Sequence, residues 1–310
     1  MHQALPWSRR ELWKRKLLYP GHTFPTAAAP VMVAVGLAVH DHVFAAIPAL
    51  LAFLAGWLIQ VGGVFTDNYE NLIRAPDDRE HPELVQALKV GTLSLSELKT
   101  TIWTCYLLAT LAGAYLYHVA GMPVVAIGLL SIGASWLYSA GPFPFGRHGI
   151  ADPVFFVFFG IVSVTASYFV QAAAHQPGLV FQALPLAAFA LSLPLGALTT
   201  NILIIDDVRD REFDAAKGKN TIAVRFGKEW SRAEFLLLLA LSYGVLFWFW
   251  LGLGFNGWVL LPLLTLPFAM AIARSVCKLD RYQDLVPMTP KAAQLLLGYS
   301  GLLAIGVALA

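Results

Sequence analysis

Nine apolar stretches, each long enough to cross a bilayer, alternate with polar connections along this chain and leave it few folds to adopt. A membrane-spanning helix needs about 20 apolar residues. Such runs lie near 23–40, 43–66, 98–118, 121–140, 152–173, 181–206, 233–253, 257–276 and 291–309. Composition agrees, since only 13% of the 310 residues are charged, whereas a soluble domain carries about 25%. The expected fold is all-α: a polytopic membrane protein of nine transmembrane helices, forming a single domain over 1–310.

Charge placement orients the spans. Threaded alternately, they put all 21 Lys and Arg on the side of the N-terminus, with the loops at 67–99, 141–151, 206–232 and 274–291. The opposite connections, such as "HDH" at 40–42 and "AAHQPGL" at 173–179, hold no Lys or Arg and a single acid, Asp41. The positive-inside rule then predicts a cytoplasmic N-terminus and an external C-terminus, in a cell (plasma or inner) membrane. A wrong span count would scramble this segregation. The basic start, "WSRRELWKRKLLYP", is followed by a full-length span without a small-residue cleavage site, so no signal peptide is expected. Trp13, Leu17 and Leu18 among Arg9, Arg10, Lys14, Arg15 and Lys16 make residues 1–22 either an interfacial cytoplasmic segment or a basic topogenic flank. The net charge of +2 says little about partners beyond the lipid bilayer, and no nucleic acid is expected.

Nearly all the acids join the basic residues on that face, in two clusters. In "GGVFTDNYENLIRAPDDRE", Asp67 and Glu70 fall three apart on one helical face, with Asp77 and Asp78 in the loop beyond. In "NILIIDDVRDREFDAAKGKN", Asp206, Asp210 and Asp214 fall four apart and form one stripe along a helix, about 12 Å long at 1.5 Å per residue. Like charges at that spacing repel, and an ionisable group at the bilayer centre costs at least roughly 2.5–3.5 kcal/mol, less toward the interface. Bound cations would offset both. With carboxylates on offer and no nearby Cys or His, the ligand set favours Mg²⁺ or Mn²⁺ over Zn²⁺. Mg²⁺ completes its shell with water and phosphate oxygens, so two acid clusters around a central cavity opening to the cytoplasmic side would suit a metal-bridged diphosphate. Arg74, Arg147, Arg209, Lys217, Lys219 and Arg225 could reach its outer oxygens. Alternatively, Asp207, Arg209, Arg211 and Glu212 pair among themselves, while Arg79, Glu80 and Glu83 are simply solvated.

Other features are weaker. "GGVF" matches no phosphate-binding fingerprint and reads as close packing between helices. Ser163, Thr165 and Ser167 lack a His or Asp partner for nucleophilic catalysis. Cys105 and Cys277 read as small core residues. Of eight scattered histidines, His22 and His148, on the cytoplasmic side, are the two candidates for a site role. The phenylalanine-rich "DPVFFVFFGIVSVTASYFV" either lines a tunnel for an isoprenoid tail or faces lipid.

Taken together, the clusters resemble those of the UbiA superfamily of intramembrane prenyltransferases. The family's DxxxDxxxD motif, running into GKxT, is matched by "DDVRDREFDAAKGKNT": Asp206, Asp210 and Asp214 fall on its acids, and Gly218, Lys219 and Thr221 on its tail. Its NDxxDxxxD motif is matched by "TDNYENLIRAPDD", with Thr66 for Asn, Asp67 as the motif Asp and Glu70 for the second. Within the superfamily the chain is most similar to 1,4-dihydroxy-2-naphthoate polyprenyltransferases, through "WLYSAGPFPFGRHGIADPVFFVFFG", with Tyr138, Gly141, Pro142, Pro144 and Gly149 retained, and through "TFPTAAAPV". Where those enzymes commonly carry Arg-Pro-Lys, this chain has "YPGH", so His22 replaces a lysine. The resemblance implies Mg²⁺-dependent transfer of a polyprenyl group from a prenyl diphosphate to an aromatic acceptor, with decarboxylation for a naphthoate. It implies metal-binding and catalytic roles for Asp67, Glu70, Asp206, Asp210 and Asp214. Arg74, Tyr138, Arg147, Arg209, Lys217, Lys219 and His22 would contact substrate. Other acceptors, such as 4-hydroxybenzoate, homogentisate or a sugar phosphate, remain alternatives. A cation-coupled transporter fits less well: the acids lie at one membrane edge, not at the midplane of a repeated architecture.

Overall fold

A computed structural model describes residues 8–13, 23–74, 82–176 and 178–310. Among them eight helices are long and apolar enough to cross a membrane: α1 (Thr23–His40), α2 (Ala46–Arg74), α3 (Leu95–Ala120), α5 (Ala151–His175), α6 (Leu186–Ala216), α7 (Lys228–Gly252), α8 (Gly257–Lys278) and α9 (Tyr282–Ala308). The ninth apolar segment, α4 (Met122–Leu137), is shorter. Its 16 residues rise about 24 Å, less than the roughly 30 Å of a hydrocarbon core. Tyr138, Ser139 and Ala140 were expected to continue this span and instead leave the helix. The reason is the following "GPFP": Gly141 takes a left-handed φ of 83°, and Pro142 and Pro144 have no N–H to donate to a helix.

The helices close into a ring. α1 packs on α2 and α9, α2 on α3, α3 on α4, α5 on α6, α6 on α7, and α7 on α8. α6 sits deepest, also touching α9 and α1. Two separate hydrophobic cores result. The larger joins α1 to the second half of the chain, through Phe169, Leu195, Phe249 and Tyr299. The smaller joins α2 and α3 to the short helix Pro82–Lys89 through Val61, Phe65, Leu84 and Leu98. Gly62 permits the approach of α3, since a Cβ there would meet the Tyr106 ring at 2.7 Å, and Gly63 permits that of α4, since a Cβ there would meet Ser135 Oγ at 2.5 Å.

The short N-terminal helix Arg9–Leu12 is closed by a capping box between Ser8 and Glu11. It docks on the smaller core: Leu12 is buried, Trp13 lies 5.8 Å from the Phe65 ring, and Arg9 pairs with Glu97. Residues 8–13 therefore rest on protein. Arg232 is buried and donates to the Val276 and Leu279 carbonyls and to Asp280, tying α7 to the end of α8. Lys228 also pairs with Asp280.

Candidate active site

Where the two cores meet lies a cavity of about 740 Å³. Asp67 and Asn68 of α2 line it on one side, and Asp206, Asp207, Arg209, Asp210 and Asp214 of α6 on the other. Deeper in, Phe155, Phe158 and Phe159 of α5 form an apolar wall. Of the two readings open for the phenylalanine-rich segment, cavity lining holds for these three. Phe158 and Phe159 project from a π-helical stretch, Phe156–Val162, inside α5, and Phe155 immediately precedes it.

α6 runs as one helix through Ala216, so its three spaced acids do form a stripe facing the cavity. Their charge is met locally. Arg209 donates Nε to Asp210 Oδ1 at 2.8 Å and Nη2 to Oδ2 at 2.5 Å, a bidentate pair. Its Nη1 reaches Asp206 Oδ1 at 2.5 Å, and Thr289 of α9 donates to the same oxygen. Asp214 is met by Lys219 Nζ at 3.0 Å. That last contact depends on how the helix ends. Gly218 adopts φ 68°, a left-handed geometry that suits glycine. The Lys219 N–H can then return to the Asp214 carbonyl at 2.9 Å. Thr221 next caps a new short helix, Ile222–Phe226. "GKNT" is thus a stop, a return and a restart. The suggested pairing among Asp207, Arg209, Arg211 and Glu212 does not form: Arg209 takes the stripe acids, and Arg211 donates to the Ala223 carbonyl.

On α2, Asp67 has neutral partners. Ser139 donates to Oδ1 at 2.5 Å and Asn71, one turn on, to Oδ2 at 3.0 Å. The neighbours expected to share its role point elsewhere. Thr66 bonds the Gly62 carbonyl at 2.8 Å and faces the Tyr106 hydroxyl, and Glu70 pairs with Arg74 at 2.8 Å. Neither lines the cavity; Asn68 does.

Tyr138 and Lys219 line the cavity as well. Arg147, between them in the loop after α4, donates to the Lys217 carbonyl at 2.6 Å, while its own carbonyl accepts from Asn220. Burial and nearby Arg74 push its guanidinium below the ordinary arginine value, and Asp214 and Asp67 pull the other way. Arg225 instead lies over the Phe226 ring, and His148 stacks on Phe143 with Nδ1 at the Pro144 carbonyl. His22, Asp77 and Asp78 lie outside the described residues. The sequence reading did not single out Asn68, Asn71, Ser139, Thr289 or Gln60. Only Asn71 carried a local signal, its four-residue offset from Asp67; Ser139 and Thr289 arrive from distant helices.

Residues 24–289 match the sequence profile of the UbiA prenyltransferase family. The 1,4-dihydroxy-2-naphthoate octaprenyltransferase of Escherichia coli is 31% identical over 91% of this chain and 89% of its own length. That of Mycobacterium tuberculosis is 29% identical over 86% and 87%. Among solved structures, a UbiA homolog from Aeropyrum pernix superposes with a TM-score of 0.67 at 16% identity, over 92% of this chain and 96% of its own. One from Archaeoglobus fulgidus, bound to GPP and Mg²⁺, gives 0.60 at 16% identity, over 93% and 98%; at such identities the likeness is one of fold. The ring of apolar helices and the acid-lined cavity are those of a multi-pass membrane enzyme that transfers prenyl groups, and the chain belongs to the UbiA prenyltransferase family.

Proposed function

We propose that this enzyme transfers a polyprenyl group from a prenyl diphosphate to 1,4-dihydroxy-2-naphthoate, with loss of CO₂, and that it requires Mg²⁺. One observation carries the reading: a single cavity joins carboxylates from α2 and α6 at one end to an apolar, phenylalanine-lined wall at the other. That polarity suits a substrate with an ionic head and a hydrocarbon tail. The names of the relatives that are 29–31% identical over most of the chain support the acceptor.

The donor set suits a hard cation, being carboxylate throughout. Among the described residues no three His, Cys, Asp or Glu side chains converge on one point. This matches how Mg²⁺ binds, through one or two carboxylates plus phosphate oxygens. Asp67, Asp206, Asp210 and Asp214 would hold it, with Glu70 in support. When bound, Mg²⁺ supplies Lewis-acid stabilisation to the departing diphosphate. Lys219, Arg147 and Arg209 would bind its outer oxygens, with Arg74, Lys217 and His22 completing the set. Tyr138 and the Phe155, Phe158 and Phe159 wall position the allylic carbon and exclude water, protecting a developing cation from hydrolysis. The charge asymmetry of the loops supports a cytoplasmic N-terminus and an external C-terminus.

Labelled prenyl diphosphate should be incubated with a panel of aromatic acceptors, with trapped CO₂ counted and products weighed by mass spectrometry. The naphthoate should couple best, releasing one CO₂ per transfer. Chelator should abolish turnover and Mg²⁺ restore it. A product that keeps its carboxylate would move the enzyme to another acceptor class, and full activity in chelator would end the metal reading.

A further inference from the structure

Four carboxylates of α6 line the cavity: Asp206, Asp207, Asp210 and Asp214. Three of them hold a cation. Arg209 spans Asp206 and Asp210, and Lys219 meets Asp214 at 3.0 Å. Arg209 is itself fixed, donating to Thr289 of α9 at 3.0 Å and lying 5.8 Å from the centre of the Tyr282 ring. Asp207 is the exception. It is half-buried, and among the described residues its side chain makes no hydrogen bond and no ion pair.

Its surroundings call for positive charge. Asp152, Asp214 and Asp206 act on it against a single cation, Lys219, which Asp214 already holds. An unpaired carboxylate among like charges inside a membrane protein is costly to keep. Asp207 lies off the four-residue stripe, yet it precedes Asp214 by seven residues. That puts it within about 20° of the same helix face and about 10 Å deeper. On the opposite wall stands the other acid without a cationic partner, Asp67, held by Ser139 and Asn71. Both acids lie close to Tyr138, the chain neighbour of Ser139. Of the four carboxylates that act on its hydroxyl, Asp67 and Asp207 act most strongly.

We infer that Asp207 is a direct ligand of the divalent cation, paired across the cavity with Asp67, and that these two seat the ion before any diphosphate is bound. The inference rests on the metal requirement in the proposed function and adds a ligand outside the spaced stripe. The stripe acids reach an ion only by parting from Arg209 or Lys219. Asp67 and Asp207 have no cation to give up. Two carboxylates, with the remaining positions left to water and then to phosphate oxygens, suit Mg²⁺.

The test uses full-length enzyme in lipid without either substrate, with Mn²⁺ as the probe and its binding read by electron paramagnetic resonance. Native enzyme should bind Mn²⁺, and excess Mg²⁺ should displace it. Asp207→Asn should weaken that binding at least about tenfold, as should Asp67→Asn. Asp152→Asn removes a carboxylate that acts on Asp207 but does not line the cavity, and should weaken binding far less. Asp207→Cys trades a hard oxygen for a soft sulfur. Added Cd²⁺ should then give a thiolate-to-metal charge-transfer absorption above the background of the native Cys105 and Cys277. A residue with a structural role alone would give no such band. Three results overturn the inference and leave the proposed function standing: native affinity in Asp207→Asn, an equal loss in Asp152→Asn, or a folded Asp207→Cys without the band. Native enzyme that binds Mn²⁺ only once a prenyl diphosphate is present overturns it as well. Turnover that persists in chelator would instead overturn the metal requirement itself.

Discussion

Protein encloses α6 over 89% of its most apolar window and α2 over only 22%, yet both bring acids to the same cavity. The difference shows in how each acid is held. On α6, with neighbours on nearly every side, each stripe acid has a cationic partner supplied by the same helix or its terminal turn: Arg209 for Asp206 and Asp210, Lys219 for Asp214. On α2, one flank of which faces lipid, Asp67 is held by two neutral donors, Ser139 and Asn71. A buried acid cluster cannot stay ionised without countercharge, whereas a lone carboxylate can be carried by hydrogen bonds. One wall of the cavity therefore holds its stripe acids by ion pairs, although its four carboxylates outnumber Arg209 and Lys219. The other holds its carboxylate by neutral donors, and both keep negative charge to offer a cation.

The largest effect should come from removing an acid on either wall. Asp67→Asn and Asp210→Asn should each lower kcat by roughly 100-fold or more, while size-exclusion profiles stay native, because charge rather than volume is lost. Loss confined to one variant would mean that only one wall serves the reaction. Next, Arg209→Ala leaves two partly buried carboxylates uncompensated. It should lower stability by roughly 3 kcal/mol in thermal unfolding, with part of the loss recovered on adding Mg²⁺. A loss unchanged by Mg²⁺ would show that the ion does not replace the arginine.

Ser139→Ala touches only the neutral wall. It removes one hydrogen bond to a charged acceptor, which is worth roughly 1.5–3 kcal/mol, so kcat/KM should fall about tenfold or somewhat more. An unchanged rate would mean that Asn71 alone orients Asp67. The smallest effect concerns Asp280, an exposed acid outside the cavity, whose carboxyl Lys228 and Arg232 hold below the ordinary range. A depressed folded-state value gives stability that is present above the unfolded pKa and lost as pH falls through the folded one. Asp280→Asn should flatten that acid arm of the melting-temperature profile and leave turnover near neutrality unaltered.

The same contrast explains what could be read in the sequence. Nine apolar runs and one-sided charge forecast the helix order closely, because span length and loop charge are local properties. The α6 stripe was legible for the same reason, since four-residue spacing fixes a helix face. The α2 set was not. Thr66 and Glu70 match the family pattern by spacing, but their side chains go to Tyr106 and Arg74, while Asn68 faces the cavity. On a helix with protein on one flank and lipid on the other, the cavity-facing residue depends on how the helix is rotated by its neighbours. Ser139 was hidden for a further reason: it reaches Asp67 only because α4 ends early at "GPFP".

The π-helical stretch Phe156–Val162 has its own consequence. Wider winding takes up residues that an α-helix would have to accommodate by turning, and each residue of α-helix turns the chain by about 100°. The two ends of α5 are thereby uncoupled in phase. Its lower half can keep Phe169 and Val170 in the larger core while its upper half presents phenylalanines to the cavity. Ser163 steadies the join by donating to the Phe158 carbonyl at 2.7 Å. A single-residue deletion inside the stretch has a defined outcome on this geometry. The helix would relax to α winding and stay continuous, and the aromatic wall would rotate away from the space it now encloses.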